Sequence, residues 1–308
     1  MEQPQHRKSV AALPGASSVS SFHGALLTTL LALVGCGKPT QRAVIAVPAA
    51  RHQAAGRPLR LLPPFELASQ RDAVVRVVSD VTCTGTLIAD DRVLTAHHCV
   101  AERDAHGRVL DRNKSPEEIE IELGGDYLPW GEVKVKAIVA PDCGYASGDG
   151  DIAILVLSRH LIGMPTSAAR IEAAPELKDG LAVFGFGRCA LSSAGGDYSF
   201  QHPADPVHRA TRDAGNIDSV NPGHFGAQAS ICPGDSGGPV YSSRGDLIGV
   251  VSASVMDGDD RTQGDSVFTR VDVWPQLFSA AHEISLGASP GELPPYGDCR
   301  VRARAPAR

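Results

Sequence analysis

The stretch Ile231-Cys232-Pro233-Gly234-Asp235-Ser236-Gly237-Gly238-Pro239-Val240 constrains this chain more than any other. Glycines on both sides of one serine favour a sharp loop, because glycine adopts positive φ and lets backbone approach closely. A serine on such a loop exposes its hydroxyl beside free backbone N–H groups. Attack on a carbonyl needs that arrangement: a nucleophile, with donors aimed at the oxyanion that develops. A bare Gly-x-Ser-x-Gly is as often an ordinary turn between two strands. The longer Gly-Asp-Ser-Gly-Gly-Pro is more specific and makes a demand on the rest of the chain. A histidine and an aspartate must lie upstream in compatible settings.

Both are present. Val93-Leu94-Thr95-Ala96-His97-His98-Cys99 ends an apolar run in histidine and cysteine. Asp151-Ile152-Ala153-Ile154-Leu155-Val156-Leu157 places an aspartate at the head of a strand-like run. At these three segments the chain resembles the chymotrypsin/trypsin-like serine peptidases. The order His98, Asp151, Ser236 is that family's and differs from the subtilisin and α/β-hydrolase orders.

The resemblance covers about residues 68 to 285. It implies an all-β fold of two six-stranded antiparallel β-barrels with a C-terminal helix. It also implies the roles of the site residues: Ser236 attacks, His98 shuttles the proton, and Asp151 orients the imidazole. The N–H groups of Gly234 and Ser236 form the oxyanion hole. The family reads Thr-Ala-Ala-His-Cys, so His98 aligns as the base and His97 occupies an alanine position, as a packed or surface residue. The family's aspartate directly precedes Ile-Ala, which selects Asp151 and leaves Asp149 on the loop outside.

Ahead of these motifs, His6-Arg7-Lys8 and the apolar run Ala25 to Val34 have the layout of a secretory signal. The run is too short for a membrane span, which needs about 20 apolar residues. Leu33-Val34-Gly35-Cys36 resembles a bacterial lipobox, which implies cleavage before Cys36 and lipidation of its thiol. A conventional signal with an incidental cysteine is the alternative. Residues 1–35 are therefore expected to be a lipoprotein signal peptide and 36–66 a tether or pro-segment, where repeated prolines prevent a regular helix. The peptidase domain is expected over 67–286, ending in a helix over Val273 to Leu286, with a tail at 287–308. Gly37, where an aspartate would signal inner-membrane retention, points to the outer membrane or cell surface.

The chain departs from the family in one respect. Secreted zymogens mature to Ile-Val-Gly-Gly, whose new amino group pairs with the aspartate before the catalytic serine. No such string precedes Cys83, so Asp235 lacks an obvious partner.

Seven cysteines are present. Cys83 and Cys99 match the family's disulfide beside the histidine, and an exported chain permits it. Cys143, Cys189, Cys232 and Cys299 allow three connectivities; the family's topology suggests Cys189–Cys232 and Cys143–Cys299.

Between histidine and aspartate, Asp111, Asn113 and Glu122 are oxygen donors in a region where relatives bind calcium. Pro116 stands where an EF-hand needs glycine, so Asp111 to Pro116 reads as a solvated polar loop and no metal is expected. The resemblance also sets the specificity pocket. Ser230, six before Ser236, replaces the aspartate of trypsin-like members, and Ser252, Ser254 and Ser266 complete the substrate-binding set. Without a charge at the base, a buried Lys or Arg would lose its ion-pair partner, so an uncharged small to medium residue is expected before the scissile bond.

A net charge of −6 gives no sign of a nucleic-acid partner, and 32 Gly with 22 Pro favour a loop-rich β fold. No cofactor is called for. The expected partners are protein or peptide substrates and, through Cys36, a membrane; the chain is expected to be a monomer. A binding module of the envelope, peptidase-like but idle or triggered, is the competing expectation.

Overall fold

The computed structural model describes residues 70–296, apart from 126–127, 146–147, 189–190, 193–197, 200–208, 255–263 and 295. The first half contains β1 (Val74–Val78), β2 (Thr82–Ala89), β3 (Arg92–Thr95), β4 (Ala101–Arg103), β5 (Val109–Asn113), β6 (Glu120–Leu123), β7 (Gly131–Val139) and β8 (Ala153–Leu157). Six of these close an antiparallel barrel in the order β1-β2-β3-β8-β7-β6, and β4 with β5 form a separate ribbon.

Side-chain patterning explains the placement. In β7 Val133, Val135, Ala137 and Val139 are buried while Glu132, Lys134 and Lys136 are exposed, the alternation of a strand with one dry face. All five residues of β8 are buried. Its Ala153, Leu155 and Leu157 pack in the barrel core, whereas Ile154 and Val156 pack with the C-terminal helix. A strand covered on both faces reads as a continuous apolar run, which is how this one looks in the sequence.

The second half contains β9 (Leu181–Gly185), β10 (Leu191–Ser192), β11 (Tyr198–Ser199), β12 (Ala210–Arg212), β13 (Ser219–Val220), β14 (His224–Ala229), β15 (Pro239–Ser242), β16 (Leu247–Ser254) and β17 (Gly264–Arg270). Its sheet runs β12-β9-β15-β16-β17-β14-β13. A bridge between Ala214 and Ala229 joins the chain after β12 to the end of β14, so six strands return on themselves as the second barrel, with the two-residue β13 added at the rim. Val183, Phe225, Val240, Ile248, Val251 and Phe268 fill it.

Helix α1 (Pro275–Ser285) is three residues shorter than the expected span, starting on a proline that suits the first helical turn. Leu277, Ala280, Ala281 and Ile284 are buried against β8. Each large apolar side chain contributes about 1.5–3 kcal/mol when fully buried. The expected polar loop at Asp111 to Pro116 is a correction: Asp111–Asn113 continue β5, and Pro116 opens a single 3-10 turn, Pro116–Glu118. Cys83 and Cys99 are joined by a disulfide with Cα atoms 6.1 Å apart.

Candidate active site

Barrel register brings the histidine and aspartate together. Thr95 at the end of β3 lies opposite Ala153 at the start of β8. His98, three residues past Thr95, and Asp151, two before Ala153, therefore leave the barrel at the same end. His98 sits in the 3-10 turn His97–Cys99, which the disulfide fastens to β2. Asp151 is fully buried. It accepts the His98 backbone N–H at 2.9 Å, the His98 ring at Nδ1 at 2.8 Å, and the Ser252 hydroxyl at 2.5 Å. Because a carboxylate only accepts, Nδ1 carries a proton, and in the neutral form of the ring Nε2 keeps its lone pair.

Ser236 lies between this turn and the second barrel. Its carbonyl accepts the Thr84 N–H of β2 at 2.8 Å and lies 3.6 Å from Cys99 Sγ. The next residue, Gly237, donates to Val251 of β16 at 2.8 Å. Gly237 has φ +80°, and a Cβ there would meet Thr95 Oγ1 at 2.1 Å; only glycine fits. The Ser236 hydroxyl is not hydrogen-bonded to His98 among the described residues, and in unliganded sites such contacts are often long.

Peptide planes decide where the neighbouring N–H groups point. The Pro233 carbonyl accepts Arg188 N–H at 2.8 Å, and the Asp235 carbonyl accepts Gly238 N–H at 2.8 Å. Every described peptide is trans, so the N–H groups of Gly234 and Ser236 point the opposite way. Neither has an acceptor among the described residues. The Gly234 carbonyl is fastened in turn by the Thr84 hydroxyl at 2.7 Å, at φ +105°.

Asp235, left without a partner by the sequence, has one within this chain. Its buried carboxylate lies 2.7 Å from Arg212 Nε. It also accepts Gly187 N–H at 2.8 Å and Cys232 N–H at 2.9 Å. Burial pushes this carboxyl above the ordinary carboxylate range, and Arg212 with the two amides pulls against that. Arg212 ends β12, paired with Val183 of β9, and also donates to the Gly187 carbonyl at 2.6 Å. Sequence reasoning missed Arg212, and no local motif marks it.

The four serines expected to bind substrate divide. Ser254 and Ser266 place their hydroxyl oxygens 3.0 Å apart across β16 and β17, and Ser230 is buried just after β14. Ser252, on the same strand as Ser254, turns its hydroxyl to Asp151. Asp149, on the loop before Asp151, pairs with His224 Nδ1 at 2.8 Å. The oxygen donors considered for calcium have separate roles: Asn113 contacts His97, Glu122 faces Arg76 at 3.7 Å, and Asp111 is exposed. Cys143 and Cys232 are both disulfide-bonded; Cys36, Cys189 and Cys299 lie outside the described residues.

A family model for trypsin matches residues 67–276. Exfoliative toxin A of Staphylococcus aureus is 27% identical over 195 residues, covering 61% of this chain and 62% of the toxin; the chain thus spans less than two thirds of that relative. The vitellin-degrading protease of Bombyx mori is 29% identical over 213 residues, 62% of this chain and 72% of that protein. Among solved structures, neuropsin from mouse brain superposes with TM-score 0.51 at 20% identity, over 69% of this chain and 95% of its own. Human heparin binding protein gives TM-score 0.53 at 18% identity, over 72% and 96%. At those identities the structures establish the fold alone.

Proposed function

The chain belongs to the trypsin family, and on that footing we propose that it is a serine endopeptidase, cleaving protein or peptide substrates through an acyl-enzyme. The observation that carries this reading is the triply hydrogen-bonded Asp151 holding His98 by Nδ1, beside the loop of Ser236. In the family's mechanism, His98 Nε2 takes the Ser236 proton as Oγ attacks the scissile carbonyl. Asp151 stabilises the imidazolium. The Gly234 and Ser236 N–H groups receive the oxyanion, a contribution of about 10²–10³ in rate per donor. His98 then passes the proton to the leaving amine, and water repeats the sequence to release the acid.

Two finer points accompany the reading. The Arg212–Asp235 pair supports activity without N-terminal cleavage, because the cation that shapes the oxyanion loop is already in the chain. The Ser230, Ser254 and Ser266 lining supports an uncharged, small to medium residue before the scissile bond. Anchoring to a bacterial envelope by lipid on Cys36 rests on sequence alone.

The test is labelling of the purified protein by a fluorophosphonate probe, beside Ser236→Ala. Labelling confined to the parent is the expected result. A folded parent that stays unlabelled overturns the reading in favour of a binding domain.

A further inference from the structure

The mechanism above makes no use of His97, yet this imidazole is fully buried directly beside the proposed base. Its Nδ1 lies 3.0 Å from the Cys143 carbonyl and its Nε2 lies 2.7 Å from Asn113 Oδ1. Its ring packs on Tyr145 with centroids 3.9 Å apart and planes at 34°. A carbonyl only accepts, so Nδ1 donates to Cys143. Burial holds the His97 pKa below its usual value, and the neutral ring accepts at Nε2, which a flip of the Asn113 amide satisfies.

The Cys143 carbonyl begins the loop that ends at Asp151, and the two ends of this loop touch. Gly144 has φ +74°, and a Cβ on it would lie 2.1 Å from the Gly150 carbonyl carbon and 2.6 Å from Asp151 N. Fixing Cys143 therefore fixes the residue packed against the backbone of Asp151. Further along, the loop is tied to the second barrel by Thr269 Oγ1 donating to the Gly148 carbonyl at 2.9 Å and by the Asp149–His224 pair. Among the described residues, its ties to the turn that carries His98 are the bonds Asp151 itself makes to His98 and, at the far end of the loop, the His97 contact with Cys143.

We propose that His97 is a positioning residue for Asp151: through the Cys143 carbonyl it sets the aspartate loop against the histidine turn, and so sets the Asp151–His98 geometry. The proposal rests on the peptidase reading of the site. At an active centre a displacement of about 1 Å costs about 10²-fold in rate, so a contact at Cys143, whose neighbour Gly144 packs on the backbone of Asp151, matters.

The experiment uses the full-length protein with His97→Leu, which fills the space without a donor, and His97→Asn, which keeps an N–H near the Nδ1 position. Expected are a kcat about 10²-fold lower in the leucine variant with KM little changed, and recovery of most of that loss in the asparagine variant. A folded leucine variant with the parent's kcat overturns the proposal, as does an asparagine variant as slow as the leucine one. If the leucine variant does not fold, the exposed Asn113→Ala substitutes for it: a fall in kcat alone is expected, and an unchanged kcat refutes the contact's role. Should the parent itself lack activity, the peptidase reading fails separately. The downfield proton NMR signal of His98 Nδ1–H then decides: it should shift in the leucine variant and return in the asparagine one, and an unmoved signal overturns positioning.

Discussion

Replacing Arg212 by methionine tests whether an internal cation shapes the oxyanion loop. The change keeps the length of the side chain and removes its charge, leaving the buried Asp235 carboxylate with two backbone donors, at 2.8 and 2.9 Å. It also strips the Gly187 carbonyl of its donor at 2.6 Å. Breaking a buried pair from one side costs about 3–5 kcal/mol. Asp235 can limit that cost by taking up a proton, since its pKa already stands raised. The lower end of the range is therefore expected, and at about 2–4 °C per kcal/mol for a domain of this size the melting temperature falls by about 6–12 °C.

The pH dependence has a definite sign. A carboxyl whose folded pKa is raised weakens the fold as pH climbs from the unfolded value, 3.8, through the folded one. Losing Arg212 raises that pKa further. The deficit of the variant should thus be largest near neutrality and shrink on acidification, where protonated Asp235 needs no cation. Fluorophosphonate labelling should drop by about 10²–10³, the effect of losing one oxyanion donor, and the double variant Arg212→Met/Asp235→Asn should regain stability more than activity. An Arg212→Met protein that melts with the parent and labels at its rate would refute the assignment.

Three further outcomes are expected. Limited cleavage between Gly56 and Ser69 should leave the labelling rate unchanged, because no new N-terminus is needed at Asp235; a large rise after cleavage would identify a zymogen. His97 has a folded pKa below its ordinary 6.5, so its stabilisation is present above that value and is lost as pH falls through it; melting curves at pH 7.5 and 5.5 should show a steeper acid loss in the parent than in His97→Asn. Ser230→Asp should raise relative cleavage after Lys or Arg by about 10- to 100-fold, the worth of one charge-assisted hydrogen bond, read from a panel of peptides differing only at that residue.

What was legible in the sequence is what chemistry confines to a few contiguous residues. The serine loop needs glycines at fixed offsets, since a Cβ at Gly237 would collide with Thr95, and the buried β8 needs an unbroken apolar run. The cysteine after His98 is likewise local, for it fastens the turn that carries the proposed base. Contacts made by strand register leave no such trace. Arg212 meets Asp235 only because β12 pairs with β9, whose chain continues to Gly187 beside the carboxylate; in sequence it is one arginine in a polar stretch. Asn113 read as a solvated loop residue because nothing nearby announces that β5 brings it to a buried imidazole. Ser252 reads as part of the edge strand that would pair with substrate backbone, and nothing near it in sequence announces that its hydroxyl faces Asp151, 101 residues earlier. The proposed nucleophile and base are thus local in sequence, while the groups that contact them and their loops are distributed over both barrels. Substitutions at Arg212, Asn113 or His97 should therefore impair the site while leaving every recognisable motif intact, and an intact motif alone is an incomplete guide to activity in this fold.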